Sequence, residues 1–177
     1  MKTLKIAIVV GNPKPQSRTL KLSEVFVEKL MGHTSYELEV IDLADCISDI
    51  LTWPSERMDR YNSLVAASDL AIFATPTYKA SFTGLLKAFL DRYPANGLSG
   101  LTAIPLFTGG DLTHAMAPTT TLSPLLAELG AVVPGRGIYF VMSQMDRADE
   151  IMQSLADEYA SNFNKLARIG NDLTKRA

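Results

Sequence analysis

The sequence predicts an α/β fold: a doubly wound parallel sheet of five strands with helices on both faces. Two observations carry the prediction. Strand-length apolar runs alternate with helix-length amphipathic segments five times along the 177 residues. Most of the runs are continuously apolar rather than alternating, as strands buried on both faces require.

The first run is residues 6–10, mostly β-branched, ending at Gly11. Pro13 and Pro15 stiffen the loop that follows. Ser17 is a good helix N-cap ahead of a segment in which Leu22, Phe26 and Leu30 recur every four residues, ending near Gly32. Residues 36–42 alternate apolar and acidic side chains, an edge-like strand. Residues 43–54 are less regular. A polar helix over 56–67 leads to the buried run 70–74, which residues 75–78 close as a loop. Helical spacing of Phe82, Leu85, Leu86, Phe89, Leu90 and Tyr93 predicts a helix over 82–93 with more apolar surface than one sheet face covers. Residues 101–107 form another apolar strand despite Pro105, a helix runs from about Pro118 to Leu129, and 131–142 carry a last strand pattern interrupted at 134–137. A closing helix over 149–173 turns Ile151, Leu155, Tyr159, Phe163, Leu166 and Ile169 inward. For five such units with right-handed crossovers the expected order is the flavodoxin-like 2-1-3-4-5. Its ligand crevice lies at the carboxyl ends of strands 1 and 3. No linker or repeat divides the chain, so residues 1–177 are expected to form a single domain.

Composition excludes several function classes. A net charge of −2, with no basic cluster beyond residues 14–21, lacks the electrostatic footprint of a nucleic-acid binder. Lys2 and Lys5 precede an apolar run that stops at Val10, too short for a signal-peptide core or a membrane span. With a single cysteine, Cys46, a cytoplasmic protein is expected. No spacing of His, Cys or carboxylates suggests a metal site.

Three loops converge on the predicted crevice. In the first, Lys14, Arg18 and Lys21 crowd a helix N-terminus, where a cation costs about 0.3–1 kcal/mol. No acidic residue appears before Glu24. An anion at the helix start resolves that repulsion, and a phosphate is expected there. The loop lacks the glycines of a dinucleotide fingerprint, and the chain has no G-x-x-x-x-G-K-[ST] motif. The hydroxyls of Ser17 and Thr19, with Lys14 and Arg18, suit one terminal phosphate. The second loop, Pro76, Thr77, Tyr78, Lys79, Ala80 and Ser81, sets an aromatic ring among small residues, fit to pack on a flat ring. The third, Thr108, Gly109, Gly110 and Asp111, offers two glycines that let backbone approach a ligand. Together the loops suit a planar ring joined to one phosphate.

These residues resemble the NAD(P)H-dependent FMN reductases of the flavodoxin-like fold, most closely those that supply reduced flavin to sulfonate monooxygenases. Residues 11–19 are similar to that family's G-S-x-R-x-x-S-x-x motif, with Asn12 and Lys14 for the usual serine and arginine. Pro76, Tyr78, Gly84, Leu86 and Lys87 match its P-x-Y pattern, and Thr108, Gly109 and Gly110, followed by His114, its T-G-G motif. The resemblance implies FMN and NADPH as cofactors and hydride transfer from nicotinamide to flavin N5. It also implies a homodimer or homotetramer and a possible partner monooxygenase. Some resembled enzymes carry an inserted tyrosine that disturbs the fourth helix; the corresponding residue is Thr120. Two other readings stay open: a reductase of quinones, azo dyes or metal ions that holds FMN tightly, and a flavodoxin-type electron carrier.

No catalytic acid or base is assigned. His114 is read as a hydrogen-bonded residue at a helix start, His33 as solvent-facing and Cys46 as inert; Trp53 and residues 142–152 could border the flavin or a subunit contact, with packing the favoured reading. Arg136 could meet a 2′-phosphate.

Overall fold

Alternating segments of this kind can pair only in parallel, because each strand must return across the sheet through a helix. The computed structural model describes residues 3–175, so Lys2 lies outside the described residues. Its strands are β1 (Leu4–Val10), β2 (Tyr36–Asp42), β3 (Leu70–Pro76), β4 (Thr102–Gly109) and β5 (Ile138–Val141). The α-helices are α1 (Arg18–Met31), α2 (Ile47–Ile50), α3 (Glu56–Ala66), α4 (Gly84–Leu90), α5 (Ser123–Glu128) and α6 (Ala148–Thr174). All pairs are parallel, in the order β2-β1-β3-β4-β5 that the alternation predicts.

The period of two along each strand divides the core. Ala7, Val9, Phe73 and Phe107 face α2, α3, α4 and α5, whose Ile50, Met58, Phe89 and Leu126 cover them. Ile6, Ile8, Ile72 and Leu106 face α1 and α6, which contribute Phe26, Val27, Met152 and Tyr159. β1 and β3 are central. β2 is an edge strand with Ile41 alone fully buried, in line with its acidic alternation. Val10 pairs with Ala74 on one side and Asp42 on the other, and Pro76 pairs with Thr108. The loops after β1, β3 and β4 therefore open at one edge of the sheet.

Several expectations change. Residues 43–54 contain a 3-10 turn, Leu43–Cys46, followed by α2. α4 is shorter than 82–93: Thr83 caps it by accepting the Leu86 N–H, which leaves Phe82 in the preceding turn. Its apolar side chains Leu86, Phe89 and Leu90 are buried within the chain, so the expected surplus is absent; large exposed apolar residues occur instead at Ile47, Leu51, Trp53, Leu112 and Met116. In 131–142, Val132 makes an isolated bridge to Thr102 and regular pairing resumes only at Ile138. Pro134 has no N–H to give, and a Cβ on Gly137 would lie 2.3 Å from Pro118. α6 buries Met152, Ala156 and Tyr159, but Leu166 and Ile169 are 47% and 56% exposed rather than inward. The helix outruns the sheet beneath it, and periodicity carries no information on the length of that surface.

Residues Pro118–Leu122 form one π-helical turn although no tyrosine stands there. Pro124 cannot donate to the Thr120 carbonyl, and the Ser123 N–H reaches back five residues to Pro118. Thr120 and Thr121 hydroxyls donate to the carbonyls of Met116 and Ala117. Among the described residues, no helix is long and apolar enough to cross a membrane.

Candidate functional site

A cavity of about 460 Å³ opens at the carboxyl ends of β1, β3 and β4. It lies at the crevice where the strand order reverses. The first loop forms one wall. Gly11 continues the ladder by donating to Ala74 O (2.7 Å), and Thr83 Oγ1 donates to Gly11 O (2.6 Å). A Cβ at Gly11 would stand 2.6 Å from Leu86 Cβ, so this glycine lets α4 approach β1. Beyond it, Asn12 Oδ1 accepts the Lys14 N–H (3.0 Å), and Asn12 Nδ2 donates to Thr19 Oγ1 (3.2 Å). Gln16 takes a left-handed φ of 54° and donates its N–H to Asp42 Oδ2 (3.0 Å). Ser17 Oγ caps α1 by accepting the Leu20 N–H (3.2 Å), which uses a lone pair and leaves the hydroxyl proton available. The first turn of α1 has no acidic residue. Among the described residues Lys14, Arg18 and Lys21 have no ion-pair partner.

The cavity wall brings together Asn12, Lys14, Ser17, Arg18 and Thr19 from the first loop, Pro76, Thr77 and Tyr78 from the second, and Thr108, Gly109 and Gly110 from the third. Thr19 plays a different part from the one its hydroxyl suggests in sequence. Its Oγ1 lies 2.9 Å from Thr108 Oγ1 and accepts from Asn12, so it ties the first loop to the third inside the protein. Thr77 donates its N–H to Thr108 O (2.8 Å), while its buried Oγ1 has no protein partner among the described residues. Tyr78 is half-exposed.

Lys79, Ala80, Ser81 and Asp111 do not line the cavity. Tyr78 and Ser81 exchange backbone hydrogen bonds (2.9 and 3.2 Å), and Lys79 and Ala80 form the tip of that turn with φ of 51° and 64°. Asp111 caps the 3-10 turn Leu112–His114 by accepting the Thr113 N–H (2.8 Å), and hydrogen bonding from the Thr113 side chain and then this N–H holds its carboxyl below the usual range. His114 ends that turn and is exposed. The two glycines of the third loop also differ. A Cβ on Gly109 would lie 1.8 Å from the Tyr139 hydroxyl, whereas one on Gly110 would meet nothing within 4 Å.

Pro15, Gln16 and Met142 complete the lining. The first two sit within the loop already singled out. Met142, where the sequence favours packing over a border to the flavin, directly follows β5 at the same edge of the sheet, a position that the carboxyl-end rule for parallel sheets marks. Arg136 lies elsewhere, in a groove of about 230 Å³ beside Met116 and Tyr139, and pairs with Glu158 (3.3 Å). Trp53 is 62% exposed, with the buried Arg92 guanidinium 3.9 Å from its ring centroid. Cys46 is buried, and burial pushes its thiol up, as an inert residue requires.

The cavity is thus cationic and hydroxyl-rich at the α1 end and lined by backbone and Tyr78 at the other. Free cations and an uncommitted Ser17 proton are the donors that a phosphorylated ring compound would satisfy.

Comparison with known proteins agrees with this chemistry. An FMN reductase (NADPH) of Pseudomonas putida strain KT2440 is 38% identical over 147 residues, covering 81% of this chain and 74% of its own. An FMN reductase (NADPH) of Escherichia coli K12 is 31% identical over 145 residues, covering 80% and 75%. The crystal structure of an NADH:FMN oxidoreductase, EMOB, superposes with a TM-score of 0.80 at 30% identity over 89% of each chain. The family profile described as NADPH-dependent FMN reductase matches residues 4–146, which takes in β1 through β5 and every loop of the cavity. By that match the chain belongs to the NADPH-dependent FMN reductase family.

Proposed function

We propose that the chain is a single-domain oxidoreductase that reduces FMN with NAD(P)H at this cavity. The first loop holds the phosphate through Lys14, Ser17 and Arg18, and Pro76, Thr77, Tyr78, Thr108, Gly109 and Gly110 flank the ring. One observation carries the assignment: Lys14 and Arg18 line the cavity at the start of a 14-residue helix, with Lys21 one turn on outside the lining, and none of the three has an ion-pair partner among the described residues. Such a cluster favours a bound dianion, and the terminal phosphate of FMN is one.

When bound, FMN supplies a two-electron hydride acceptor. The chain's own residues bind and orient. Asn12 and Thr19 fix the first loop, and Thr19 with Thr108 sets its distance from the third. Among the described residues no carboxylate or imidazole lines the cavity, so no proton carrier is assigned and positioning supplies the rate enhancement.

Two finer statements belong to the same proposal. FMN is a released substrate, handed on to a partner monooxygenase, and the chain works as a homodimer or homotetramer. Relatives named for NADPH and for NADH both match the chain, and NADPH is the preferred donor in this reading. The purified protein should be colourless and oxidise NADPH only when FMN is added. A yellow protein active without added flavin would replace the released-substrate reading with that of a tightly held prosthetic group. Elution as a monomer in size-exclusion chromatography would reject the oligomer.

A further inference from the structure

We infer that Asp42 is a positioning residue for the FMN phosphate: its carboxylate holds the left-handed turn at Gln16 that sets the first loop and the start of α1. The inference rests on the reading of that loop as the phosphate end of the FMN site.

Asp42 is the last residue of β2 and pairs with Val10, the last of β1. The parallel register therefore delivers a carboxylate to the flank of the loop that leaves β1. Both oxygens are committed to backbone. Oδ2 accepts the Gln16 N–H (3.0 Å), and Oδ1 accepts the Ala44 N–H (3.3 Å) at the start of the 3-10 turn Leu43–Cys46. The second bond is a local cap. The first spans 26 residues, and nothing in the β2–α2 connection needs it.

Gln16 sits between Pro15 and the cap Ser17 with φ of 54°, a region that a residue with a Cβ rarely occupies without support. Ser17 then returns to extended backbone (φ −71°, ψ 161°) and opens α1. The left-handed residue thus sets the direction in which the chain enters the helix. The Ser17 hydroxyl and the Lys14 and Arg18 side chains that flank Gln16 in sequence take their places from it. With its main-chain N–H turned to Asp42, Gln16 does not offer that N–H to the ligand.

Asp42 is not the counter-ion of the cation cluster. It has no ion pair among the described residues. Its carboxyl is pushed up by burial, with Asp45 adding to the rise and no lysine or arginine opposing it. The carboxylate shapes the loop and leaves its cations for the ligand.

The test measures FMN and riboflavin affinities of the wild-type, Asp42→Ala and Asp42→Ala/Gln16→Gly proteins by flavin fluorescence. Wild type should prefer FMN to riboflavin by about tenfold or more, and Asp42→Ala should lose most of that preference with riboflavin affinity kept within about twofold. Glycine adopts the left-handed conformation unaided, so the double variant should recover part of the preference. Equal loss on both ligands, or an unchanged preference in Asp42→Ala, overturns the role of Asp42 while leaving the phosphate site standing. Equal wild-type affinities reject the phosphate site itself, and this role with it. Should Asp42→Ala fail to fold, Asp42→Asn, which keeps one acceptor oxygen, is measured with amide hydrogen exchange. Faster exchange at Gln16 with a reduced FMN preference supports the role, and an unchanged pair of readings overturns it.

Discussion

The loop after β1 and the loop after β3 meet at one cavity but are held in different ways. The first is fixed by side chains, some reaching in from elsewhere, Asp42 on Gln16 and Thr83 on Gly11, and one of its own, Asn12 on Thr19, which in turn meets Thr108. The second is held mainly through backbone, in the reciprocal hydrogen bonds of Tyr78 and Ser81 around two left-handed residues and in the Thr77 N–H to Thr108 O. The Thr75 hydroxyl adds a side-chain brace, donating to Pro76 O and accepting the Thr83 N–H. A loop held by side chains can present a particular set of charges, because each brace frees the remaining groups for the ligand. A loop held by backbone presents shape and is less sensitive to which side chains it carries.

The largest test of this contrast removes ligand groups from the first loop. Lys14→Ala combined with Ser17→Ala should weaken FMN binding about 100-fold, the loss of two charge-assisted contacts, and riboflavin binding far less. Fluorescence titration reads both, and equal losses would erase the distinction between the two ends of the cavity. Next come the glycines. Gly11→Ala and Gly109→Ala force a Cβ against Leu86 and Tyr139. Each should cost about 1–3 kcal/mol in chemical denaturation, and Gly110→Ala under about 0.5 kcal/mol. A Gly110→Ala loss as large as the other two would show that this position also serves packing. Smaller still is the hydroxyl pair. Thr19→Val and Thr108→Val should each cost about 1 kcal/mol and couple by about 0.5–1 kcal/mol in a double-mutant cycle. Strict additivity would mean that the first and third loops are not joined there. Least of all, Ala80→Gly should stabilise by about 0.5 kcal/mol by relieving a left-handed alanine. Destabilisation in the same melt would show that the turn depends on the side chain after all.

Much of the cavity is visible in the sequence because ligand-binding loops of a parallel sheet are contiguous segments at known strand ends. Asn12, Lys14, Ser17, Arg18, Pro76, Tyr78 and Gly110 sit where their strands release the chain. What fails to show is the reason for a residue. Gly11 reads only as the end of the first strand and is room for Leu86; Gly109 reads as room for a ligand and is room for Tyr139. Thr19 reads as a phosphate donor and is a strut. The widened turn at Pro118–Leu122 forms without a tyrosine because Pro124 withholds an N–H and neighbouring hydroxyls take up carbonyls. The pattern of Leu166 and Ile169 is that of a core helix, yet α6 runs on past the sheet that would cover it.

The order of elements, and with it the parallel sheet and the edge at which a ligand can bind, was determined by the sequence alone. Hydrophobic period and run length are local properties, and right-handed crossovers leave few ways to assemble them. Only the tertiary structure decided which atoms share the work. Asp42 reaches Gln16 across 26 residues, Thr83 reaches Gly11 across 72 and Thr19 reaches Thr108 across 89. No local pattern records such pairings, because each arises when separate strands end level at one edge of the sheet.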